Sequence, residues 1–99
     1  MILVRDVFRL KFGKAREALK AFKDIGDYAI KSGFRGQPRV LTDLVGPYYT
    51  LVLETSAPSL AEYEQQGQKM MADEGWRSRY SQFTPFVESG YREIFNIVE

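Results

Sequence analysis

The chain has 99 residues, the size of one domain, and 44% hydrophobic and 27% charged residues give it an ordinary globular balance. A net charge of +1 supplies no global field that would attract nucleic acid or an acidic membrane. The sequence has neither cysteine nor histidine, which excludes disulfides, zinc fingers, the usual metal sites, histidine-ligated haem and a Ser-His-Asp triad. Acid–base chemistry therefore falls to Asp, Glu, Tyr, Lys or a bound cofactor.

Membrane insertion and secretion are not expected from the sequence. No apolar run approaches the roughly 20 residues of a membrane-spanning helix. Arg5 and Asp6 interrupt the short apolar opening, so it lacks the core of a signal peptide. The default expectation is a cytoplasmic protein.

The first part of the chain predicts a strand, a helix and a second strand. Residues 2–11 alternate with a period of two and contain β-branched side chains, which is typical of a strand. Residues 14–31 change to a spacing of three and four, which indicates an amphipathic helix. Gly33 and Gly36 end this helix, and residues 38–45 predict the second strand.

The remainder predicts a hairpin partner, a second helix and a last strand. A Gly-Pro turn joins the second strand to a third at 48–55, so these two strands should form a hairpin. Ser59 and Glu62 fit a capping box at the start of the second helix. Gly75 should break or kink that helix before a short continuation, and residues 90–99 alternate as a fourth strand.

The element order β-α-β-β-α-β over residues 1–99 is the ferredoxin-like pattern of a single α+β domain. Right-handed crossovers place both helices on one face of a four-stranded antiparallel sheet, with the expected strand order 4-1-3-2. The helix-free face is not cleanly polar, because apolar side chains recur there on three strands. We expect a second copy of the chain to cover it, since a twofold pairing of such sheets is self-complementary. The alternative is scattered surface hydrophobes, which are common.

Four segments carry a resemblance to a known family: VRDVFRLKFGK, YYTLVLETSAPSLAEYE, ADEGWRSRYSQFTPFVESG and the closing YREIFNIVE. They are similar to the NIPSNAP-like branch of the dimeric α/β-barrel superfamily. The resemblance implies a homodimer whose two sheets close into a barrel. That superfamily includes cofactor-free monooxygenases, isomerases and haem-dependent enzymes, and the lack of histidine departs from the haem branch. We therefore expect no cofactor.

The first candidate site lies on the predicted barrel side of the sheet. Strand alternation places there Arg5, Arg9, Glu54, Arg92 and Asn96. The functional interpretation is an anion or carbonyl site, with Glu54 as base and an arginine as electrostatic stabiliser. The structural interpretation, which the sequence favours, is a set of interface ion pairs that fix the register of the dimer.

The second candidate site lies between the sheet and the helices. Asp6 and Glu93 are predicted on the otherwise apolar face of strands one and four. The aromatic and soft side chains expected nearby are Tyr63, Met70, Trp76, Tyr80 and Tyr91. A carboxylate in apolar surroundings has a raised pKa and can act as a base in a small-molecule pocket. Alternatively both carboxylates reach water beside an ordinary core, and a one-residue register error would exchange the faces.

Two functions follow from these patterns. The first, toward which the sequence leans, is a cofactor-independent monooxygenase or isomerase acting on a small lipophilic or aromatic molecule, with Asp6, Glu93 or Glu54 as catalytic groups. The second is a non-catalytic dimeric module that binds a ligand or partner. Nucleic-acid binding is not expected, because the third strand lacks the aromatic framework of the RNA-recognition domain that shares this topology.

Overall fold

The computed structural model describes residues 1–98 as a four-stranded antiparallel sheet with three α-helices on one face. The elements are β1 (Ile2–Leu10), α1 (Ala15–Lys31), β2 (Arg39–Thr42), β3 (Thr50–Ala57), α2 (Leu60–Ala72), α3 (Glu74–Phe83), a 3₁₀ turn (Thr84–Phe86) and β4 (Val87–Asn96). The strand order β2-β3-β1-β4 confirms the predicted ferredoxin-like α+β topology. Among these described helices, none combines the length and apolar character needed to cross a membrane.

The hairpin between β2 and β3 differs from the prediction because its tip is longer. The β2 ladder stops at Thr42, and the Asp43 side chain then accepts a hydrogen bond from the Thr50 backbone at 2.9 Å. Gly46 and Tyr49 adopt positive φ angles of 136° and 60°, so the chain between them reverses instead of extending the ladder. At the other end of the chain, β4 begins at Val87, and Glu99 of the predicted strand lies outside the described residues.

The break between α2 and α3 lies at Asp73, two residues before the predicted break at Gly75. Asp73 has an extended backbone, and its carboxylate accepts hydrogen bonds from the Trp76 amide at 3.2 Å and the Tyr28 hydroxyl at 2.7 Å. The Tyr28 hydrogen bond holds the pKa of Asp73 below its ordinary value. Gly75 has a different role, because a Cβ at this position would collide with the Tyr28 ring. Glycine therefore lets α1 and α3 approach closely.

The helices bury one face of the sheet around a cluster of aromatic rings. Phe83 is fully buried, and its ring packs at centroid distances of 5.2 Å from Phe8 and 5.0 Å from Phe22. A smaller cluster under α2 contains Ile2, Val4 and Ala57. Every side chain of α2 is described, and none of them is fully buried, so this helix is the most loosely packed of the three.

Cross-strand pairing divides the sheet into two faces, because directly paired residues point the same way. Asp6 pairs with Leu53 and Arg92 on the face beneath the helices, which we call the helix-covered face. Arg5 pairs with Glu54 and Glu93 on the opposite side, which we call the open face. The open face carries residues 3, 5, 7 and 9 of β1 together with their partners on the neighbouring strands.

Candidate functional site

The predicted face assignment is correct for β1 and β3 and wrong by one residue for β4. Arg92 and Asn96, predicted on the barrel side, lie on the helix-covered face, where Arg92 pairs with Asp6. Glu93, predicted beside Asp6, lies on the open face opposite Arg5. The error arises because β4 carries apolar side chains on both faces, so its period-two pattern does not select one of them. The predicted Asp6–Glu93 pair is therefore not formed.

A row of alternating charges crosses the whole open face, with one residue from each strand. This charge row consists, in spatial order, of Arg39, Glu54, Arg5 and Glu93. Arg39 Nη2 donates to Glu54 Oε1 at 2.6 Å, and Arg5 Nε donates to Glu54 Oε2 at 3.2 Å. Arg5 Nη1 donates to Glu93 Oε1 at 3.0 Å. The row is thus one connected network with the charge order plus, minus, plus, minus.

Glu54 is held as a carboxylate by this network. Its side chain is only 12% exposed, and it accepts three hydrogen bonds from the guanidinium groups of Arg39 and Arg5. The hydrogen bond from Arg39 lowers the pKa of Glu54, which outweighs the opposing effect of burial. A carboxylate stabilised in its charged form is a poor proton acceptor near neutral pH. The geometry therefore favours the structural interpretation of Glu54 over its predicted role as a base.

Arg39 was missed by the sequence-based prediction, although the sequence held a signal for it. Strands β2 and β3 pair symmetrically about the Gly-Pro turn, so that Arg39 lies opposite Glu54. Pairing the residues of the two strands one by one, outward from that turn, matches Arg39 with Glu54 and therefore places Arg39 in the charge row. Arg9, a predicted binding residue, lies on the open face but outside the charge row, paired with Thr50 and Ser89.

Apolar side chains flank the charge row on both sides. One flank runs across all four strands and contains Leu41, Val52, Val7 and Tyr91. The other contains the cross-strand neighbours Leu3 and Phe95. Tyr91 is 61% exposed and Phe95 is 46% exposed, so this face presents large apolar groups to its surroundings. We call these two groups the apolar flanks.

Among residues 1–98, one ion pair lies on the helix-covered face, at its margin. Arg92 Nε donates to Asp6 Oδ1 at 2.5 Å, and the Arg92 guanidinium carbon lies 5.5 Å from the centre of the Tyr63 ring. The Asp6 side chain is 15% exposed, and burial raises the pKa of the Tyr63 hydroxyl. Asp6 is therefore a charge-paired carboxylate beside an aromatic ring. Within residues 1–98, no three acidic side chains cluster closely enough to hold a metal ion.

An open cleft of about 640 Å³ lies between α2, the end of α1 and the segment 32–37. Its apolar walls include Phe34, Ala57, Met70 and Trp76. Polar groups at its border include Arg35, Gln37, Gln65, Gln66 and Lys69. Of the residues predicted for the second site, Trp76 and Met70 line this cleft, whereas Tyr63 contacts the Asp6–Arg92 pair. Tyr80 stacks on Trp76 with a centroid distance of 4.8 Å and packs against the main core.

The sheet order and the position of the helices define a ferredoxin-like α+β protein. An antibiotic biosynthesis monooxygenase of known crystal structure has the same fold, with a TM-score of 0.77, 13% identity and coverage of 100% of both chains. Within this fold class, the chain belongs to the NIPSNAP family, whose model matches residues 5–98. The family resemblance predicted from the sequence is thereby confirmed.

Two NIPSNAP proteins of known structure have closely similar folds to this chain. An uncharacterised NIPSNAP domain protein from Burkholderia xenovorans has a TM-score of 0.88 and 20% identity, covering 99% of this chain and 95% of that one. A NIPSNAP family protein from Agrobacterium tumefaciens has a TM-score of 0.87 and 24% identity, covering 96% and 86% respectively. Among curated proteins, none matches this chain. At these identities the likeness establishes the fold.

Proposed function

We propose that this chain works as a homodimer that binds a small lipophilic or aromatic molecule without converting it. The observation that carries the proposal is that arginine engages each candidate catalytic carboxylate. Asp6 is bound by Arg92, while Glu54 and Glu93 are both bound by Arg5. A charge-assisted hydrogen bond of this kind holds the carboxylate against an arginine of its own chain, whereas a general base must reach the proton of a bound substrate. The arrangement suits a structural role better than proton transfer.

The partner in this proposal is a second copy of the chain, bound through the open face. With helices on one side only, the sheet leaves the larger side chains of the apolar flanks exposed to water, Tyr91 and Phe95 above all, at a cost of about 25 cal/mol for each Å² of apolar surface. Pairing two such faces about a twofold axis buries both sets of flanks at once. The paired arrangement corresponds to the dimeric barrel that the family resemblance implies.

The ligand class follows from the walls of the cleft. Trp76 and Phe34 supply aromatic surface, and Met70 supplies a polarisable side chain that adapts to irregular shapes. The amides of Gln65 and Gln66 can donate and accept hydrogen bonds at its border. The volume of about 640 Å³ lies within the range of small-molecule sites, about 300–1,000 Å³.

Fluorescence provides a direct test, because Trp76 is the single tryptophan of the chain and it lines the cleft. The probe is 8-anilinonaphthalene-1-sulfonate, an aromatic dye whose emission rises in apolar surroundings. We expect binding to quench Trp76 and to give energy transfer to the dye.

Two adjacent methionines of α2 provide the matched variants. Met70 lines the cleft, whereas its neighbour Met71 is 61% exposed and lies outside it. Met70→Ala should weaken dye binding by about tenfold, the effect of losing roughly 1.4 kcal/mol of apolar contact, and Met71→Ala should leave it unchanged. Equal affinities for the two variants, or a Trp76 signal that does not respond to the dye, would contradict the proposed site.

Catalysis is the second candidate function, favoured by the fold shared with an antibiotic biosynthesis monooxygenase and by the Asp6–Arg92 pair beside Tyr63. In a cofactor-independent monooxygenation, Asp6 would take a proton from a methylene next to a carbonyl while Arg92 moves to the enolate oxygen. The carbanion would then reduce dioxygen, so that the methylene and O₂ become a carbonyl and water. Returning the proton to another carbon would instead give an isomerase.

Oxygen uptake separates the two candidates. Anthrone, a tricyclic ketone with an acidic methylene, is the probe, and the binding-module proposal predicts uptake no faster than in buffer. Uptake that depends on the protein and is lost in Asp6→Asn would support catalysis. Asp43→Asn serves as the control, because Asp43 caps the hairpin tip and its amide replacement can still accept the Thr50 hydrogen bond.

A further inference from the structure

The charged side chains around the cleft indicate the chemical class of its ligand. We propose that the cleft takes an amphipathic carboxylate, with an aromatic or lipophilic body and an acidic head group that Arg35 and Lys69 bind. This inference rests on the proposed binding function of the cleft, and it adds the head group that the ligand must carry. The apolar walls accept the body of an acid, an alcohol or an amine alike, so the charged groups decide among these classes.

Two cationic side chains line the cleft, and each comes from a different element. Lys69 belongs to the last turn of α2, and Arg35 belongs to the segment 32–37. Within residues 1–98, no carboxylate pairs with either of them, unlike the arginines of the charge row. Arg35 Nη1 donates instead to the carbonyl oxygen of its neighbour Phe34 at 3.4 Å. Both cations are therefore available to a ligand.

Cationic and apolar groups lie close enough together for one small molecule to contact both. Lys69 and Met70 are neighbours on α2, and Arg35 and Phe34 are neighbours on the other wall of the cleft. Each wall thus sets one cation beside one apolar side chain. An aromatic acid can pack its rings against the apolar side chains while its carboxylate reaches a cation. Charge-assisted hydrogen bonds to that carboxylate are stronger than the neutral ones that an alcohol forms.

The backbone that carries Arg35 is fixed to both the sheet and the first helix. The carbonyl oxygen of Gly36 accepts a hydrogen bond from the Ser56 amide of β3 at 2.8 Å. The Phe34 amide donates to a carbonyl oxygen near the end of α1 at 3.0 Å. The Phe34 ring lies directly over Gly36, where a Cβ would collide with it. Because this backbone is already ordered, less freedom is lost when a ligand binds.

The two acidic side chains that line the cleft oppose such a ligand only weakly. Asp73 Oδ1 accepts hydrogen bonds from the Tyr28 hydroxyl and the Trp76 amide, and it caps the positive end of α3. These donors and the helix dipole offset its charge. Glu62 precedes Lys69 by seven residues on α2, about 10 Å along the helix axis and roughly one Debye length at 0.1 M salt. A head group bound at Lys69 is therefore screened from Glu62.

Two fluorescent dyes that differ in one acidic group test this inference. The anilinonaphthalene sulfonate used above carries an anion, whereas N-phenylnaphthylamine has the same ring system without it. Quenching of Trp76 measures the dissociation constant of each dye, since this side chain lines the cleft. The ratio of the two constants is the quantity to compare between variants. A general change in the apolar walls affects both dyes and cancels in that ratio.

Arg35→Gln and Lys69→Gln each remove one cation and keep a polar side chain. Each should reduce the preference for the sulfonate dye about three- to fivefold, the effect of losing one partly exposed ion pair. Lys31→Gln is the matched control, because Lys31 has the same charge, is exposed and lies outside the cleft. It should change the ratio by less than about twofold. Arg35 and Lys69 are also exposed, so we expect the variants to fold, and circular dichroism checks this.

A competition series identifies the head group. Naphthoate, naphthylmethanol and naphthylmethylamine share one ring system and carry a negative, a neutral and a positive group respectively. We expect naphthoate to displace the sulfonate dye at the lowest concentration and the amine to displace it least well. Equal displacement by all three, or a preference for the amine, would overturn the inference.

The outcomes separate this inference from the binding function on which it rests. If neither dye quenches Trp76, the cleft does not bind such molecules and both proposals fail. If both dyes bind and the ratio stays the same in Arg35→Gln and Lys69→Gln, the cleft remains a binding site and its preference for acids is wrong. An equal loss of preference in Lys31→Gln would also overturn the inference, because the effect would then come from the net charge of the protein.

Discussion

The two faces of the sheet bury their side chains by different means. On the helix-covered face, Val4 and Leu51 are completely buried by helices of the same chain. On the open face, Tyr91 and Phe95 of the apolar flanks remain 61% and 46% exposed, and charges occupy the centre. Helices of the same chain cover the first face, whereas the second leaves apolar side chains exposed and is the face through which we propose that a second copy binds.

Charge is also distributed differently between the two faces. In the described part of the chain, the helix-covered face has the ion pair of Asp6 with Arg92, at a margin where the arginine side chain stays 55% exposed. The open face has a connected row across its middle, with Glu54 as the most buried member. A buried charge is tolerated only when an opposite charge is bound to it. Because the row crosses the centre of the open face, each of its charges depends on the ion pairs that it forms with its neighbours in the row.

The largest expected effect concerns the helix-covered face. Phe83→Ala should lower the free energy of unfolding by about 3–5 kcal/mol, because it removes a fully buried ring that contacts Phe8 and Phe22. Urea denaturation measures the change, and Phe83→Leu is the milder variant if the alanine chain does not fold. Phe12→Ala, at a ring that is mostly exposed, should change stability by less than about 0.5 kcal/mol.

The next effect compares neighbouring residues on opposite faces of β4. Phe95 and Ile94 are exposed to a similar degree, 46% and 42%, but Phe95 lies on the open face and Ile94 on the helix-covered face. Phe95→Lys should raise the dimer Kd at least about 30-fold, since about 1 kcal/mol of apolar burial is lost in each protomer. Ile94→Lys should change it by less than about threefold.

Analytical ultracentrifugation over a concentration series measures both dissociation constants. If the two variants weaken the dimer equally, the distinction between the faces fails as a description of association. If neither does, the second copy does not bind through the open face.

Most of the fold could be predicted because its signals are local. The change from a period of two to a period of three and four separates β1 from α1, and Ser59 does accept the Glu62 amide hydrogen bond at the start of α2. The turn between β2 and β3 sets their register by symmetry. The break at Asp73 was misplaced because it depends on Tyr28, which lies 45 residues away in the sequence.

The candidate site was harder to predict because it depends on pairing between distant strands. Glu93 and Arg5 are 88 residues apart, and no turn joins β4 to β1 to fix their register. With apolar residues on both faces of β4, a shift by one residue was equally consistent with the sequence. The prediction therefore identified the charged residues but assigned Arg92 and Glu93 to the wrong faces.

The smallest expected effect is a pH dependence that comes from the charge row. The hydrogen bond from Arg39 holds the pKa of Glu54 below its ordinary value of about 4.5. The stability that this group contributes is therefore fully present above that ordinary value. It is lost as the pH falls through it toward the lower pKa of the folded state, because protonation removes the charge that Arg39 and Arg5 bind.

Thermal unfolding between pH 7 and pH 3 would show this dependence. Glu54→Gln lacks the contribution at every pH, so its Tm should lie about 4 °C below that of the wild type at pH 7, and the gap should narrow as the pH falls below the ordinary pKa of a glutamate. Glu88→Gln, at an exposed position of β4, controls for the loss of one negative charge. A gap that stays constant from pH 7 to pH 3 would mean that shape, and not the ionised carboxylate, accounts for the role of Glu54. The open face would then be held together by packing alone, and the contrast with the helix-covered face would disappear.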